Sequence, residues 1–570
     1  MAGYIDKIVK TITPKDTLGF SWLYFLATLS WLIVVGTMAM NMRTYLVFPH
    51  ESPGIGVEYF TVLTLHGMSA IFGVIFNGAL AIMLFSMYTS KLSIVHRKAL
   101  LAFFWIANLG LALAEIGLPD MGWYMFPPLA IEDNAVFHAF NLYRGAAMGA
   151  GYLFLALNSG ATAAAALTLV IDGYISKKQD GAKINIFAKY GIAFAFVMGV
   201  TIPALTATEL WFAAAIWFPS VVKVDPLLNL VLFWFFGHPV VYYVPFPLFG
   251  SWYYFIPKYA NRPIFSPRWS EWNIWILSVA SMIIFLHHLQ TFPFPVAVRA
   301  WITIGTLALA VGSGITTMNV GLTILLSKNY NWRDPAGFAF LISLIGFILA
   351  GTQALPLPIN LTNIYLHNSY WVVGHFHLVI WTLILVGTSA VFTELLRASL
   401  PGFDFSEKAR KLMTIGLLEW TIPFVTIGYL FTIIGFFGML RREIAYPAQF
   451  APYQFAISYL AEIGIPGLVM TIAVALGEYI RASVKGGVAG FTPSTPGSPS
   501  FTLSTNQKLI KAEGAKGTEE KSGNIVKGGV AGFTPSTPGS PSFTLSTNQK
   551  LVQKLAKIEE IKVEEKKKLK

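Results

Sequence analysis

Six of the ten histidines in this 570-residue sequence are spaced in ways that suit metal chemistry. His375 and His377 lie two residues apart. On a helix their side chains point about 200° from one another. They cannot easily share one metal, but they suit two large planar cofactors on opposite faces of one helix. His287 and His288 are adjacent, and near a helix end both can turn toward one ion. His238 and Tyr242 are four apart and share a helical face. His66 stands by itself.

The chemistry is narrowed by what is missing. The chain has no cysteine, which removes disulfides, iron–sulfur clusters, thiolate metal sites and any dicopper site built on cysteines. Metals must use histidine, carboxylate or neutral oxygen. Three neutral imidazoles suit copper or zinc, and spacing alone does not separate the two. Histidine is also the usual axial ligand of haem iron. A haem held by two histidines is closed to substrate, and one held by a single histidine keeps a site open.

The elements that carry these side chains are membrane spans. The chain is 55% hydrophobic and 12% charged, with a mean hydropathy of +0.61. Soluble domains carry about a quarter charged residues. Met1–Asp16 is polar and does not read as a cleavable signal. Apolar stretches of about 20 residues or more can be laid out twelve times: 18–42, 61–88, 99–118, 140–171, 190–218, 226–256, 272–292, 300–326, 335–355, 366–396, 412–438 and 454–480. The fold expected is all-α, a polytopic bundle of twelve transmembrane helices over residues 17–482, after a cytoplasmic segment 1–16.

The loops alternate in charge. One set holds Lys7, Lys10, Lys15, Lys91, Arg97, Lys98, Lys177, Lys178, Lys183, Lys189, Lys258, Arg262, Arg268, Lys328, Arg333, Arg397, Lys408, Arg410 and Lys411. The other set is poor in cations, mainly Lys223, Arg299, Arg441 and Arg442. The positive-inside rule makes the first set cytoplasmic, with both termini on that side. His66, His238, His287, His288, His375 and His377 then converge from four helices on one depth, in the outer half of the membrane. Polar groups at that depth are costly and usually functional.

After Arg481 the composition changes. Val484–Leu509 recurs without a mismatch as Val526–Leu551, rich in Gly, Pro, Ser and Thr. Such a segment cannot bury a core, so residues 483–570 read as a disordered basic cytoplasmic tail. Lys485–Lys570 has fourteen lysines and seven glutamates, so it holds +7 of the net +12. This charge suits anionic lipid headgroups rather than nucleic acid.

The motifs themselves resemble a known family. His238-Pro239-Val240-Val241-Tyr242 resembles the His-Pro-x-Val-Tyr signature of the haem-copper oxidases. His287-His288 follows some 45 residues later, and His367 to His377 resembles the family's long haem-binding motif. Leu65-His66-Gly67 is similar to its first haem-ligand site, Gly122–Leu129 to its outer loop after span three, and Gly438–Arg442 to its propionate-binding arginine pair. The resemblance covers about Thr17–Arg481. It implies a terminal oxidase that reduces dioxygen to water, with two haems, A-type by resemblance, and one copper. His66 and His377 would clamp a low-spin haem, and His375 would hold the oxygen-reactive haem. His238, His287 and His288 would hold the copper facing it. Tyr242 would be cross-linked to His238 and donate an electron and a proton. Arg441 and Arg442 would pair with propionates, with His367 nearby. Asn368, where many relatives have aspartate, argues against a magnesium site.

The sequence departs from the best-known branch. Val240 replaces its glutamate proton relay, no acid lies in Tyr88–Lys98, and no lysine lies in Ala300–Leu326. The smaller branch of archaea and some thermophilic bacteria uses hydroxyls instead, so Tyr242, Tyr253, Ser313 and Thr316 are expected to line a proton path on the cytoplasmic side. The alternative for Ser313 and Thr316 is bonding back to helix carbonyls. Glu115, Glu209 and Glu419 are rival intramembrane acids.

The expected partners are dioxygen, companion oxidase subunits, the lipid bilayer of a plasma membrane, and either a quinol or a small electron-carrier protein. The outer acids Glu51, Glu58, Asp120, Glu132 and Asp133 form no obvious patch for a basic donor, which favours quinol. A nitric oxide reductase would lack Tyr242. A twelve-span transporter would show half-repeats and leave the histidines without a role.

Overall fold

The computed structural model describes residues 13–48, 59–117, 121–123, 125–127, 130–131 and 144–485. The duplicated tail, most of segment 1–16, part of the Gly122–Leu129 motif, and Glu51, Glu58, Asp120, Glu132 and Asp133 lie outside the described residues.

Among the described residues, twelve helices are long and apolar enough to cross a membrane: α1 (Thr17–Val47), α2 (Tyr59–Thr89), α3 (Arg97–Gly117), α4 (Ala147–Gln179), α5 (Ile186–Trp217), α6 (Pro226–Ala260), α7 (Pro267–Leu289), α8 (Val296–Leu325), α9 (Pro335–Ala354), α10 (Tyr370–Ser399), α11 (Glu407–Phe436) and α12 (Ala448–Val484). No named strand occurs among the described residues, and an isolated bridge joins Ser369 to Leu440. Backbone groups in hydrocarbon must bond within their own segment, so helices are the form such spans take.

The expected and observed spans agree in number and order. Several helices begin earlier than apolarity indicates, because capping residues start them in the headgroup region. Asp16 accepts from Gly19 N–H at the head of α1, Asn185 accepts from Ala188 N–H before α5, and Ser406 from Ala409 N–H before α11. Each cap satisfies an amide that would otherwise lack a partner. α4 differs most: it was expected over 140–171 and runs to Gln179, since Lys177 and Lys178 extend its polar end beyond the hydrocarbon.

α2 carries the most thoroughly buried span, and helices close around it through glycines. A Cβ at Gly374 would lie 2.7 Å from Gly428 O, and one at Gly435 1.9 Å from Trp371 N, so α10 and α11 touch backbone to backbone. At the basic-loop side a buried ion network ties four elements. Arg397 Nη2 meets Asp334 Oδ2 at 2.5 Å and Asp404 Oδ1 at 3.0 Å, and its Nη1 meets Glu394 Oε1 at 2.8 Å. Lys258 Nζ lies 2.8 Å from Glu394 Oε2, and Tyr259 donates to the same carboxylate.

Candidate haem and copper centre

The helices that present the six histidines are locally irregular. α2 changes to a π-helical turn over Ser69–Ile75, three residues after His66. α10 does the same over Val379–Leu385, two residues after His377. Single π turns within helices are frequent at functional sites. In α6 the α-helix stops at Gly237, and Pro239–Tyr242 forms a 3-10 turn. α7 likewise tightens to 3-10 over Ile284–Leu289, which brings adjacent His287 and His288 to one side. Neither irregularity has a marker in hydrophobic periodicity, apart from Pro239.

The rings of His66 and His377 are parallel to within 6°, with centroids 6.3 Å apart. Each Nδ1 is engaged with a backbone carbonyl: His66 with Val35 O at 3.1 Å and His377 with Val373 O at 2.9 Å. Both Nε2 atoms are therefore left for a metal. Two imidazoles bound through Nε2 on opposite sides of one ion, with bonds of about 2 Å, would have ring centres about 6 Å apart. The pair fits an iron clamped between two histidines. His375 Nδ1 contacts Ala350 O at 3.1 Å, which leaves its Nε2 free on another face of α10. A carbonyl on the far ring nitrogen is the usual way a metal-binding histidine is oriented.

His238, His287 and His288 offer ring nitrogens within 4.8 Å of one another. His238 Nδ1 lies 3.3 Å from His288 Nε2, and His287 Nδ1 bonds Thr306 Oγ1 at 3.0 Å. His288 stacks on Trp234, with centroids 3.7 Å apart and planes 6° apart, which fixes its ring. A neutral three-nitrogen set without thiolate or carboxylate fits copper. The buried His238 Nε2 has no hydrogen-bond partner. Tyr242 lies beside that ring, centroids 4.9 Å apart at 72°.

At the end of the bundle away from the basic loops three non-glycine residues share left-handed backbone: Trp123 (φ 57°), Asn368 (58°) and Arg442 (66°). Arg441 N–H donates to Asn368 O at 2.9 Å, its Nη2 donates to Asn368 Oδ1 at 2.9 Å, and Arg442 Nη2 reaches Trp123 O at 3.4 Å. Strained conformations of this kind cluster at functional sites. His367 sits beside them. Burial, then Arg441 and Arg442, push it down to about 4, so it is neutral at physiological pH.

Of the expected proton path, Tyr253 and Thr316 meet. Tyr253 OH donates to Thr316 Oγ1 at 2.9 Å, and Asn273 Nδ2 donates to the same oxygen at 2.6 Å. Thr316 is thus an acceptor between helices and is not bonded back to its own turn. Ser313 does not join: its carbonyl accepts from Thr317, and its hydroxyl has no partner among the described residues. Of the rival acids, Glu115 accepts from Ser69 at 2.5 Å and Glu209 from Ser159 at 2.6 Å.

Sequence reasoning missed Trp234, Asn273 and buried Arg43, whose guanidinium bonds Ser458 Oγ (3.0 Å) and Gln454 Oε1 (2.6 Å). A charged residue inside an apolar span was the available signal for Arg43.

The family described as "Cytochrome C and Quinol oxidase polypeptide I" matches residues 20–463. The chain is 48% identical over 509 residues to quinol oxidase subunit 1 of Sulfolobus acidocaldarius, covering 89% of this chain and 97% of that one. It is 25% identical over 456 residues to cytochrome c oxidase subunit 1 of Synechocystis, covering 77% and 79% of the two chains. A solved heme-copper terminal oxidase dimer superposes with a TM-score of 0.59 at 18% identity, over 94% of this chain and 97% of that chain, a likeness of fold.

Proposed function

The chain belongs to the cytochrome c and quinol oxidase polypeptide I family, and on that premise we propose a role for each residue of its centre. It is the catalytic subunit of a terminal oxidase, a haem-copper oxygen reductase in the membrane. His66 and His377 hold the low-spin haem. His375 holds the haem at which dioxygen is reduced. His238, His287 and His288 hold the copper facing it. The cofactors are two haems of A type and one copper. Bound together, they supply the electrons that reduce dioxygen to water.

The chain's own residues do the rest. Carbonyls of Val35, Val373 and Ala350 fix the tautomer of each haem-facing imidazole, with the proton on Nδ1. Trp234 holds His288 in place by stacking on its ring. Tyr242 stands beside His238, one of the three histidines that would hold the copper, where its phenol would be placed to donate an electron and a proton to the oxygen chemistry the bound metals would supply. Arg441 and Arg442 bind propionate oxygens, with His367 beside them. Protons reach Tyr242 from the basic-loop side through Tyr253 and Thr316.

The electron donor is a quinol, a reading supported by the Sulfolobus relative, a quinol oxidase by its description. A small electron-carrier protein acting through a companion subunit is the second reading, supported by the described cytochrome c oxidases. The basic loops face the cytoplasm of a plasma membrane, with both termini on that side. Residues 17–482 form the catalytic domain, and 483–570 form the tail.

The observation that carries the assignment is the parallel His66–His377 pair together with the three-histidine group. Reduced-minus-oxidised spectra with and without carbon monoxide, with metal analysis, test it. Two haems and one copper per chain, with one haem binding carbon monoxide, are expected. One haem, or iron in place of copper, overturns it.

A further inference from the structure

At the basic-loop side, the start of α1, the end of α2 and the start of α3 border a partly open cavity of about 340 Å³. Lys15, Asp16, Thr17, Lys91, Ser93 and Arg97 are among the residues that line it. Three are cations and one is a carboxylate. The carboxylate caps α1, Asp16 Oδ1 accepting Gly19 N–H at 2.8 Å, and it lies within electrostatic reach of Arg97, so the two lysines carry the excess positive charge. Neither Lys15 nor Lys91 has a carboxylate partner among the described residues. The walls are held in place: Thr17 Oγ1 donates to Leu92 O (2.8 Å), Ser93 N–H to Ser176 Oγ (2.9 Å), Val95 N–H to buried Asp172 (2.9 Å), and Arg97 Nη1 to Lys15 O (2.8 Å).

Lys91 is the informative residue. α2 ends in the helix-closing turn in which Leu92 N–H bonds Met87 O and Lys91 N–H bonds Tyr88 O. That turn places Lys91 in left-handed backbone at φ 60°. Glycine or asparagine is the ordinary occupant there, and this chain uses Gly181, Asn261 and Gly438 at its other left-handed positions after helices. A lysine tolerates the strain at a cost, and strain is retained where the side chain has a task. Its ammonium completes a group of three cations at the level where three spans leave the hydrocarbon. Basic pockets between span ends on this face bind anionic headgroups.

We propose that this cavity is a binding site for a phosphate-bearing anion, supplied by the headgroup of an inner-leaflet phospholipid. Lys15, Lys91 and Arg97 contact the phosphate oxygens. The bound lipid joins the ends of α1, α2 and α3, the helices around His66, without entering the reaction.

The test uses the purified oxidase complex in neutral detergent, melted while tryptophan fluorescence is followed. Phosphatidylglycerol raises the melting temperature of the unaltered protein by several degrees. Lys91→Gly, which relieves the backbone, melts no lower than the parent without lipid, yet needs at least ten-fold more phosphatidylglycerol for half the rise. Lys15→Ala with Arg97→Ala loses the rise. The same titration with glycerol phosphate separates the sources. A rise with the lipid alone assigns a headgroup, and an equal rise with the soluble phosphate assigns a solute anion. No rise in the parent with either, or variants that titrate like the parent, overturns the site.

Discussion

The imidazoles of His66 and His377 reach across from α2 and α10 and lie parallel, 6.3 Å between centroids, with both Nδ1 atoms occupied by carbonyls. His377→Ala is therefore expected to remove the low-spin haem while leaving the carbon monoxide-binding haem on His375. Oxygen consumption should fall by at least a hundred-fold. Spectra with one haem per chain that still responds to carbon monoxide would agree. Loss of the carbon monoxide response with the low-spin band intact would reverse the assignment of the two histidines.

The three-histidine group leads to a separate expectation, because its ligands come from α6 and α7 and not from α10. His288→Asn should release copper without removing either haem, leaving a protein with normal haem spectra and turnover reduced at least a hundred-fold. Trp234→Leu removes the plane that orients His288. It should lower copper occupancy by about ten-fold, in the range seen when a ligand's supporting group is lost. Full copper content in both variants, measured by elemental analysis, would sink the assignment.

How much of this was legible beforehand can be argued from particular residues. The depth of the histidines follows from span counting, since hydropathy is a strong signal over twenty residues. The pairing of His66 with His377 came from motif resemblance, because no local pattern links residues some three hundred apart. Thr316 was named, but its partner Asn273 was not. Asparagine in a span carries no periodic signal, and the contact depends on the crossing of α7 and α8. Ser313 was named with Thr316 because three residues apart on a helix share a face, yet its hydroxyl has no partner among the described residues while Thr316 Oγ1 accepts from Tyr253 and Asn273. The ion network went unread for a similar reason: Glu394 and Arg397 sit at i, i+3, while Asp334 and Lys258 arrive from other spans.

That network gives a stability prediction. Arg397 is 7% exposed and faces Asp334, Glu394 and Asp404. Removing one partner of a buried ion pair leaves uncompensated charge, which costs about 3–5 kcal/mol. Arg397→Ala should lower the melting temperature by several degrees with the haem content of the surviving fraction unchanged. Arg410→Ala, at the exposed rim, should shift it by far less.

Asp404, outside the spans, sets a pH dependence. Burial alone would raise its carboxyl, but Arg397, the Phe405 N–H and Arg410 outweigh that and hold it below its ordinary 3.8. A depressed carboxyl contributes stability that is fully present above the unfolded value and is lost as pH falls through the folded one. Because the side chain is half exposed, the contribution is modest. Plotted against pH, the melting temperatures of the parent and Asp404→Asn should run parallel well above the ordinary 3.8 and converge as pH falls below it. Curves that stay parallel through that window would remove Asp404 from the acid response.

The proton path is tested by separating the two hydroxyls that were named together. Thr316 Oγ1 accepts from Tyr253 and Asn273 at once, so its oxygen is already the junction of three helices. Its own proton is free to point onward. Thr316→Val keeps the shape and removes that junction, and Tyr253→Phe removes the donor below it. Each should slow turnover about ten-fold or more while leaving both haem spectra and copper content unchanged. Ser313→Ala should change turnover by less than about two-fold, since its hydroxyl makes no hydrogen bond among the described residues. Removal of a step in general acid–base transfer commonly costs about a hundred-fold, so partial rescue by water would account for a smaller loss. If Thr316→Val and Tyr253→Phe turn over at the parent rate, protons reach Tyr242 by another route. The carboxyls of Glu115 and Glu209 would then be the next to replace.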